Sequence, residues 1–241
     1  MSIEDLRKGF EVHKSKIDKA DRINVLLFNT NLFNLEINLD IVFPNKNTVY
    51  TALIDFRRFD LISYLEKVYL SGVKAIMFNS YLQRISEADF LLVYKACKYA
   101  EEKGMIICID GSFGTSKMYA YDNLKLSCFI CDLIHKTPVV IVHSGGRRIL
   151  DFMLLALDKD NVWLDTSFSL PFYIGSSAEL DFAFAYKKLN CDRIVYGSDY
   201  PYNDFDEALK IHLDFFEKHR FSVLHIEQIL YLNCKRLFSL D

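Results

Sequence analysis

The sequence lacks the features of a membrane, exported or nucleic-acid-binding protein. No apolar run reaches 18 residues, so no transmembrane helix is predicted. The charged N-terminal residues contain no apolar signal-peptide core, so we expect a cytoplasmic protein. The 29 basic and 32 acidic side chains leave a net charge of −3, so attraction to nucleic acid or to an anionic membrane is not expected. The expected partner is a small-molecule substrate.

Cysteine is too scattered to indicate a disulfide framework or a zinc site. The chain has six cysteines, which we expect to be reduced and mostly buried. Cys128 and Cys131 form a single CxxC motif. Because no second pair of Cys or His accompanies this motif, zinc is not predicted there.

What the sequence does contain is a repeated alternation of short apolar runs with longer helical stretches. Glu87–Lys103 is such a stretch, with apolar residues at three- and four-residue steps and Gly104 at its end. This alternation predicts parallel βαβ units, and 241 residues suit one α/β barrel domain. The seven apolar runs are Ile23–Phe28, Val49–Ile54, Lys74–Phe78, Met105–Ile109, Val139–Val142, Val162–Leu164 and Arg193–Tyr196.

We therefore predict a single-domain α/β fold, a (β/α)8 TIM-like barrel that is distorted or shortened in its first third. Ile37–Phe43 could supply an eighth strand, but residues 34–47 are too few for a strand, a full helix and two loops. The predicted domains are an N-terminal helical extension at residues 1–22, with a helix around Ile3–Lys14, and a barrel at residues 23–241.

Polar residues follow the apolar runs. Asp and Asn are ordinary helix caps and turn formers, but at the carboxyl ends of barrel strands they also surround the active site. Glycine is scarce, with nine in the chain, yet five glycines lie beside Asp110, His143 and Asp199, which indicates sharp turns or close approach to a ligand. The polar residues are Asn29, Asn31, Asp55, Asn79, Asp110, His143, Asp165 and Asp199.

Histidine supports the functional interpretation at one position. His143 alone among six histidines ends an apolar run, and two glycines and two arginines follow it. The other five, which include His212 and His219, lie in helical or surface-like contexts, so we expect solvated or capping side chains.

Four short motifs follow one another in the second half of the chain. They are HSGG (143–146), LDTS (164–167), GSDYP (197–201) and YLNCKRLF (231–238). In this order they resemble the amidohydrolase-related family of metal-dependent TIM-barrel hydrolases and decarboxylases. GVKAIMF (72–78) and GMIICIDG (104–111) are similar to the fourth and fifth units of that family. The resemblance covers residues 72–240 well and 23–71 poorly.

This sequence differs from the family at three positions of the metal site that the resemblance implies. The family's His-x-His matches Asn29-Thr30-Asn31, and its fifth-strand His matches Asp110. His143 matches the sixth-strand His, and Asp199 matches the final-strand Asp. Amide and carboxylate oxygens suit a hard cation such as Mg²⁺ or Ca²⁺ better than zinc. The expectation is therefore no cofactor or a weakly bound divalent cation, with Asp110 and Asp199 as its ligands if one binds.

The resemblance also implies a mechanism that needs no metal. Asp199 would act as the base and His143 would polarise the substrate carbonyl. Asn29, Asn31 and Asn79 would bind substrate, and Arg147 would bind a carboxylate or phosphate of the substrate.

Three functions remain open at this point. The first is hydrolysis of an ester, lactone or amide bond in a small polar substrate. The second is a catalytically degenerate barrel that binds a ligand or serves as a scaffold, since three family positions are altered. The third, a decarboxylase, ranks lowest because known members depend on the metal. Fold resemblance alone does not choose among them.

Aromatic side chains indicate an interface. Phe182, Phe184 and Tyr186 alternate within one helical stretch, so they cannot all face the core. One explanation is a strand-like or buried local geometry. The other is that part of this surface meets a second subunit, since an exposed apolar patch usually marks an interface, and we expect a homodimer.

Overall fold

The computed structural model describes residues 23–27, 48–112 and 116–239. In this part of the chain, seven strands form one parallel sheet in which neighbours in sequence are neighbours in space. Each strand falls on one of the seven predicted apolar runs. The strands are β1 (Ile23–Leu27), β2 (Thr48–Leu53), β3 (Ala75–Phe78), β4 (Ile106–Asp110), β5 (Val139–Val142), β6 (Val162–Asp165) and β7 (Ile194–Val195).

Helices connect the strands from β2 onward, which gives the single-domain α/β TIM-like barrel that the alternation predicts. The predicted eighth strand at Ile37–Phe43, the helix at Ile3–Lys14 and the boundary after residue 22 lie outside the described residues. The helices are α1 (Leu61–Leu70), α2 (Phe90–Glu102), α3 (Asn123–Cys131), α4 (Ile149–Asp158), α5 (Ser169–Tyr173), α6 (Ala178–Lys188), α7 (Phe205–Lys218), α8 (Val223–Glu227) and α9 (Asn233–Leu237).

Helix α2 shows how the sequence specifies its own helix ends. The Ser86 and Asp89 side chains form a capping box at a short 3₁₀ turn before α2. The helix buries Phe90, Val93 and Cys97, which share one face at three- and four-residue spacing. Gly104 then adopts a φ of +67°, a conformation that glycine tolerates and that ends the helix as predicted.

The strands from β2 onward bury both faces, and alternation along each strand determines which side chains point into the barrel. Ile107 and Ile109 belong to the large cluster under the helices, whereas Ile106 and Cys108 belong to a second cluster. This second cluster is the barrel interior, and Asp110, in phase with Cys108, continues the same column at the carboxyl end of β4. The interior cluster is Leu53, Ala75, Met77, Ile106, Cys108, Val140, Trp163, Val195 and Leu237.

The C-terminal helix packs against the sheet beside β7. A π-helical turn, Gln228–Leu232, joins α8 to α9, and its Ile229 carbonyl accepts a hydrogen bond from the Tyr196 backbone N–H at 3.0 Å. Asn233 donates its Nδ2 to the carbonyls of Cys191 at 2.6 Å and Ile194 at 2.8 Å. The Asn of the closing motif therefore joins α9 to the amino end of β7.

Loss of the Asn233 amide should destabilise the fold. Asn233 is 2% exposed, so Asn233→Ala leaves two carbonyls without their donor. We expect the free energy of unfolding to fall by about 2–4 kcal/mol, measured by urea denaturation. Asn161→Ala is the comparison, because Asn161 also donates to two carbonyls but is only partly buried. If the free energy of unfolding fell no more for Asn233→Ala than for Asn161→Ala, burial of the Asn233 amide would add nothing to its contribution to stability.

The three aromatic side chains of helix α6 divide between core and surface. Phe182 and Tyr186 are fully buried, while Phe184 is 55% exposed. The homodimer itself stays a prediction.

Within the described ranges, no helix combines the length and the apolar character that a membrane span requires.

Candidate active site

Asp110 is a buried polar side chain at the carboxyl end of the barrel. It is 4% exposed, and its Oδ1 accepts hydrogen bonds from the Ser112 backbone N–H at 2.8 Å and from Ser112 Oγ at 2.5 Å. Its Oδ2 accepts a bond from Asn79 Nδ2 at 2.7 Å. These three donors compensate the burial of a carboxylate and fix its orientation.

Asp165, at the end of β6, repeats this arrangement. Its Oδ1 accepts bonds from the Ser167 backbone N–H at 3.1 Å and from Ser167 Oγ. The same oxygen accepts the His143 backbone N–H at 3.1 Å. Asp165 thus holds the turn that carries His143.

His143 lies at the start of a strained turn after β5. His143 and Ser144 have φ values of 64° and 50°, which are unusual for residues with a side chain. Ser144 Oγ donates to the Asp165 carbonyl at 2.6 Å. Gly145 follows at φ +82°, where an added Cβ would lie 1.9 Å from Cδ2 of Phe152. Strain and close packing together aim the imidazole into the barrel mouth.

The hydrogen bonds of His143 determine which ring nitrogen carries the proton. His143 Nδ1 lies 2.9 Å from Ser167 Oγ and 3.2 Å from the Ser167 carbonyl. Because the carbonyl only accepts, and because Ser167 Oγ gives its hydrogen to Asp165, Nδ1 is the donor. Nε2 then faces Asp110 Oδ2 at 3.8 Å.

Electrostatics favour the protonated imidazole. Burial lowers the pKa of His143, but the negative charges of Asp110, Asp165 and Asp199 outweigh burial and raise the pKa above its ordinary value of 6.5. His143 therefore carries a positive charge at a higher pH than an exposed histidine would.

Asp199 completes the group in the turn after β7. Its φ is 60°, and the turn is held by the Gly197 N–H, which donates to Thr166 Oγ1 at 3.3 Å. Burial raises the pKa of Asp199 from 3.8 to about 6, the charge of His143 opposes this rise, and Asp165 and Asp110 add to it. The structure thus brings Asp110, His143 and Asp199 into one electrostatically coupled group.

Gly197 is required by the tight packing beneath Asp199. A Cβ at this position would lie 2.5 Å from Asp165 Oδ2 and 2.7 Å from the Cβ of Ser167. The glycine of GSDYP therefore lets the backbone before Asp199 approach the Asp165 carboxylate.

His212 corrects an expectation. It was expected to be solvated or to cap a helix, but it is 0% exposed. Its Nδ1 lies 2.7 Å from the Ala208 carbonyl, so this nitrogen is the donor, and Nε2 accepts from Thr166 Oγ1 at 2.8 Å. Burial lowers the pKa of His212. The helical pattern identified a helix here but not which face of it is buried.

The predicted substrate-binding residues lie in different places. The amide of Asn79 is 3% exposed, and its Oδ1 accepts the Leu82 backbone N–H at 3.0 Å. Both its polar atoms are thus engaged inside the protein, which gives Asn79 a part in holding Asp110. Arg147 is exposed and lines a surface depression with Tyr119 and Asp122. Asn29 and Asn31 lie outside the described residues.

The donor set of the described residues does not fit a zinc centre. Within residues 23–27, 48–112 and 116–239, no three His, Cys, Asp or Glu side chains converge as a metal ion requires, and three protein ligands are the rule for catalytic zinc. Asp110 already accepts an amide and a hydroxyl on its two oxygens. The weak cation held by Asp110 and Asp199 stays a prediction.

Sequence reasoning missed several residues that shape the site. Ser112 and Ser167 each follow an aspartate by two positions and bond to it, and the repeated Asp-x-Ser pattern could have identified both. Burial and the charge of Asp110 raise the pKa of the Tyr81 phenol, while hydrogen bonds to Asn79 and Ser112 oppose the rise, which places Tyr81 beside Asp110. Phe168 lies against His143, with ring centroids 5.6 Å apart.

The fold and this site define a class. Acidic and imidazole side chains at the carboxyl end of a parallel (β/α) barrel are the arrangement of barrel enzymes that carry their chemistry on the loops after the strands. The family model described as "Amidohydrolase" matches residues 63–240. The chain belongs to the amidohydrolase family.

Solved structures share the fold at low sequence identity. An uncharacterised TIM-barrel protein from Bordetella bronchiseptica is 14% identical with a TM-score of 0.79, over 95% of this chain and 82% of that one. A probable 2-pyrone-4,6-dicarboxylic acid hydrolase from Acinetobacter baumannii is 14% identical, with a TM-score of 0.69 and coverage of 95% and 88%. A 2,6-dihydroxybenzoate decarboxylase from Rhizobium is 15% identical, with a TM-score of 0.71 and coverage of 96% and 88%. No curated protein matches the chain.

Proposed function

We propose that this protein hydrolyses an ester, lactone or amide bond of a small polar substrate, with Asp199 as general base and His143 as the electrophilic group. The observation that carries the proposal is the coupled group at the barrel mouth. There, a carboxyl with a pKa of about 6 is paired with an imidazole whose pKa is raised. Environments that tune an acid and a base near neutral pH are typical of catalytic sites.

Asp199 supplies the base. With a pKa of about 6, its carboxylate is ionised at neutral pH yet a stronger base than an ordinary aspartate. It takes a proton from water as the water oxygen attacks the carbonyl carbon. When the bond to the leaving alcohol or amine breaks, the proton passes from Asp199 to that group.

His143 supplies the positive charge that the transition state needs. Its Nδ1–H is held by Ser167, so the Nε2–H of the imidazolium is the donor left for a developing oxyanion. The rigid, strained turn keeps this donor in place before substrate binds, which lowers the reorganisation required during reaction.

Hydrolysis is favoured over decarboxylation by the donor set. Asp199 and His143 would give a base and an electrophile at one mouth, and hydrolysis of a carbonyl bond uses both. One structural neighbour is a probable 2-pyrone-4,6-dicarboxylic acid hydrolase, and a 2-pyrone is a lactone, which supports lactones as the first substrates to test. We propose that turnover requires no tightly bound metal.

The pH dependence of kcat/KM tests the roles of Asp199 as base and His143 as electrophile. We expect kcat/KM to rise as pH passes about 6, because Asp199 loses its proton and becomes a base. It should fall again as pH rises through the pKa of His143, above 6.5, because the imidazolium is lost. The measurement is kcat/KM between pH 4.5 and 9.5. His143→Gln should remove the alkaline limb and keep the acid limb, and an unchanged alkaline limb in that variant would reject His143 as the electrophile.

A panel of neutral lactones, esters and amides tests the reaction class. Hydrolysis of at least one of them by the wild type, but not by Asp199→Asn, is the expected result. Absence of turnover across the panel would instead favour the second candidate, a degenerate barrel that binds ligands or acts as a scaffold.

A further inference from the structure

We propose that Phe168, backed by Phe172, forms an aromatic wall at the active-site mouth that binds a flat, unsaturated ring in a neutral substrate. This inference depends on the proposed function in one respect, because it takes the barrel mouth at His143 and Asp199 as the place where substrate binds. It adds the substrate class and a specificity-determining residue.

Phe168 contacts the imidazole of His143 and the ring of Phe172, and Phe172 is exposed to solvent. The rings of Phe168 and His143 meet edge to face, with centroids 5.6 Å apart and planes at 61°. Phe172 stacks on Phe168 with centroids 5.4 Å apart and planes at 19°. Phe172 is 65% exposed, so it supports Phe168 from the outside and is not part of the core.

The backbone of Phe168 is held in an unfavourable conformation. Its φ is 50° and its ψ is −60°, which residues with a Cβ rarely adopt. The flanking residues hold it there, because Ser167 is bonded to Asp165 and His143 and Ser169 is 1% exposed. Strain of this kind persists where the surroundings over-determine it, most often at ligand sites. A phenylalanine at this position places a ring beside the reacting group that glycine would not provide.

The chemistry of the wall selects the ligand. A flat unsaturated ring stacks on a phenylalanine face or meets its edge more favourably than a saturated ring of the same size. Among the described residues, the carboxylates of Asp110 and Asp165 and the imidazole of His143 act on Asp199, so the charge around it is mainly negative and selects against an anion. An anionic group beside these carboxylates would be repelled.

Two neutral probes of matched size test the wall. Benzamide and cyclohexanecarboxamide share the amide and differ in the ring, and ligand-observed NMR titrations give their affinities. The wild type should bind benzamide about 2- to 10-fold more tightly. Phe168→Leu keeps apolar bulk and Phe168→Gly suits the positive φ, and in both variants this ratio should fall to about one. Phe184→Leu, at an exposed phenylalanine on α6, should keep the wild-type ratio.

The outcomes separate this proposal from the proposed function. A wild type without preference for benzamide, or a preference that survives in both Phe168 variants, would overturn the aromatic wall even if the protein hydrolyses lactones. A Phe168-dependent preference in a protein that hydrolyses nothing would support the wall and reject the hydrolase.

Discussion

Asp199→Asn should slow the chemical step by roughly 10²–10⁴-fold while the protein still folds. Asparagine keeps the shape of the side chain but cannot take a proton from water. The loss should appear in kcat on the best lactone or ester of the panel. His143→Asn should also slow turnover, because the oxyanion loses its positively charged donor.

The same substitution should stabilise the protein above pH 6. The pKa of Asp199 is raised from 3.8 to about 6 in the folded protein, so between these values the folded state binds the proton more tightly than the unfolded chain. The stability that this carboxyl contributes is present below about pH 4 and is lost as pH rises through about 6. Asparagine removes the buried charge, so its Tm should exceed that of the wild type at pH 8 and approach it at pH 4.

Asp204→Asn is the matched control for this prediction. Asp204 lies five positions further along and caps α7, where its side chain accepts the backbone N–H groups of Asp206 and Glu207. Asparagine is an equally good cap, so both turnover and stability should stay near wild type. If Asp199→Asn kept the activity of Asp204→Asn, Asp199 would not be the base and the family resemblance would describe the fold alone.

Gly145→Ala should lower stability more than the same change at Gly111 or Gly197, two other glycines near the site with close neighbours. The new Cβ would lie 1.9 Å from Cδ2 and 2.6 Å from Cε2 of Phe152, and the glycine φ is +82°. Phe152 is 0% exposed, so its ring cannot move aside without disturbing the core. We expect the free energy of unfolding to fall by about 3–5 kcal/mol, from overpacking and backbone strain together, in urea denaturation followed by circular dichroism.

Gly175→Ala separates these two contributions. Gly175 has the same φ of +82° but nothing within 4 Å of an added Cβ, so only backbone strain remains, about 1–2 kcal/mol. Equal losses at Gly145 and Gly175 would contradict the packing of the HSGG turn on Phe152 and, with it, the rigid placement of His143.

The fold was predictable because its signal is local. Each strand is a short apolar run, and Gly104 could be identified as a helix end from its position alone. The placement of Asp110 also followed from sequence, since a polar residue directly after an apolar parallel strand lies at the carboxyl edge of the sheet. These features depend on neighbours within a few positions, which a single sequence displays.

Contacts between distant residues were not predictable in the same way. The burial of His212 is compensated by Thr166, 46 positions away, which bonds to its Nε2. Helical spacing gives no sign of that partner. The role of Phe168 depends on a backbone conformation and on a ring contact with His143, neither of which the residue type indicates. The function of Arg147 and Asn79 was assigned from position in the chain, whereas it depends on which atoms the folded protein leaves accessible.

Turnover of the best lactone by protein dialysed against a strong chelator, with the metal content measured by elemental analysis, tests most directly whether Asp199 and His143 suffice. We predict full kcat/KM with far less than one equivalent of any transition metal. The Tm should stay close to that of the undialysed protein, because a tightly bound ion would raise stability by mass action. Loss of turnover on dialysis, restored by one equivalent of a divalent metal, would contradict the proposal that Asp199 and His143 suffice.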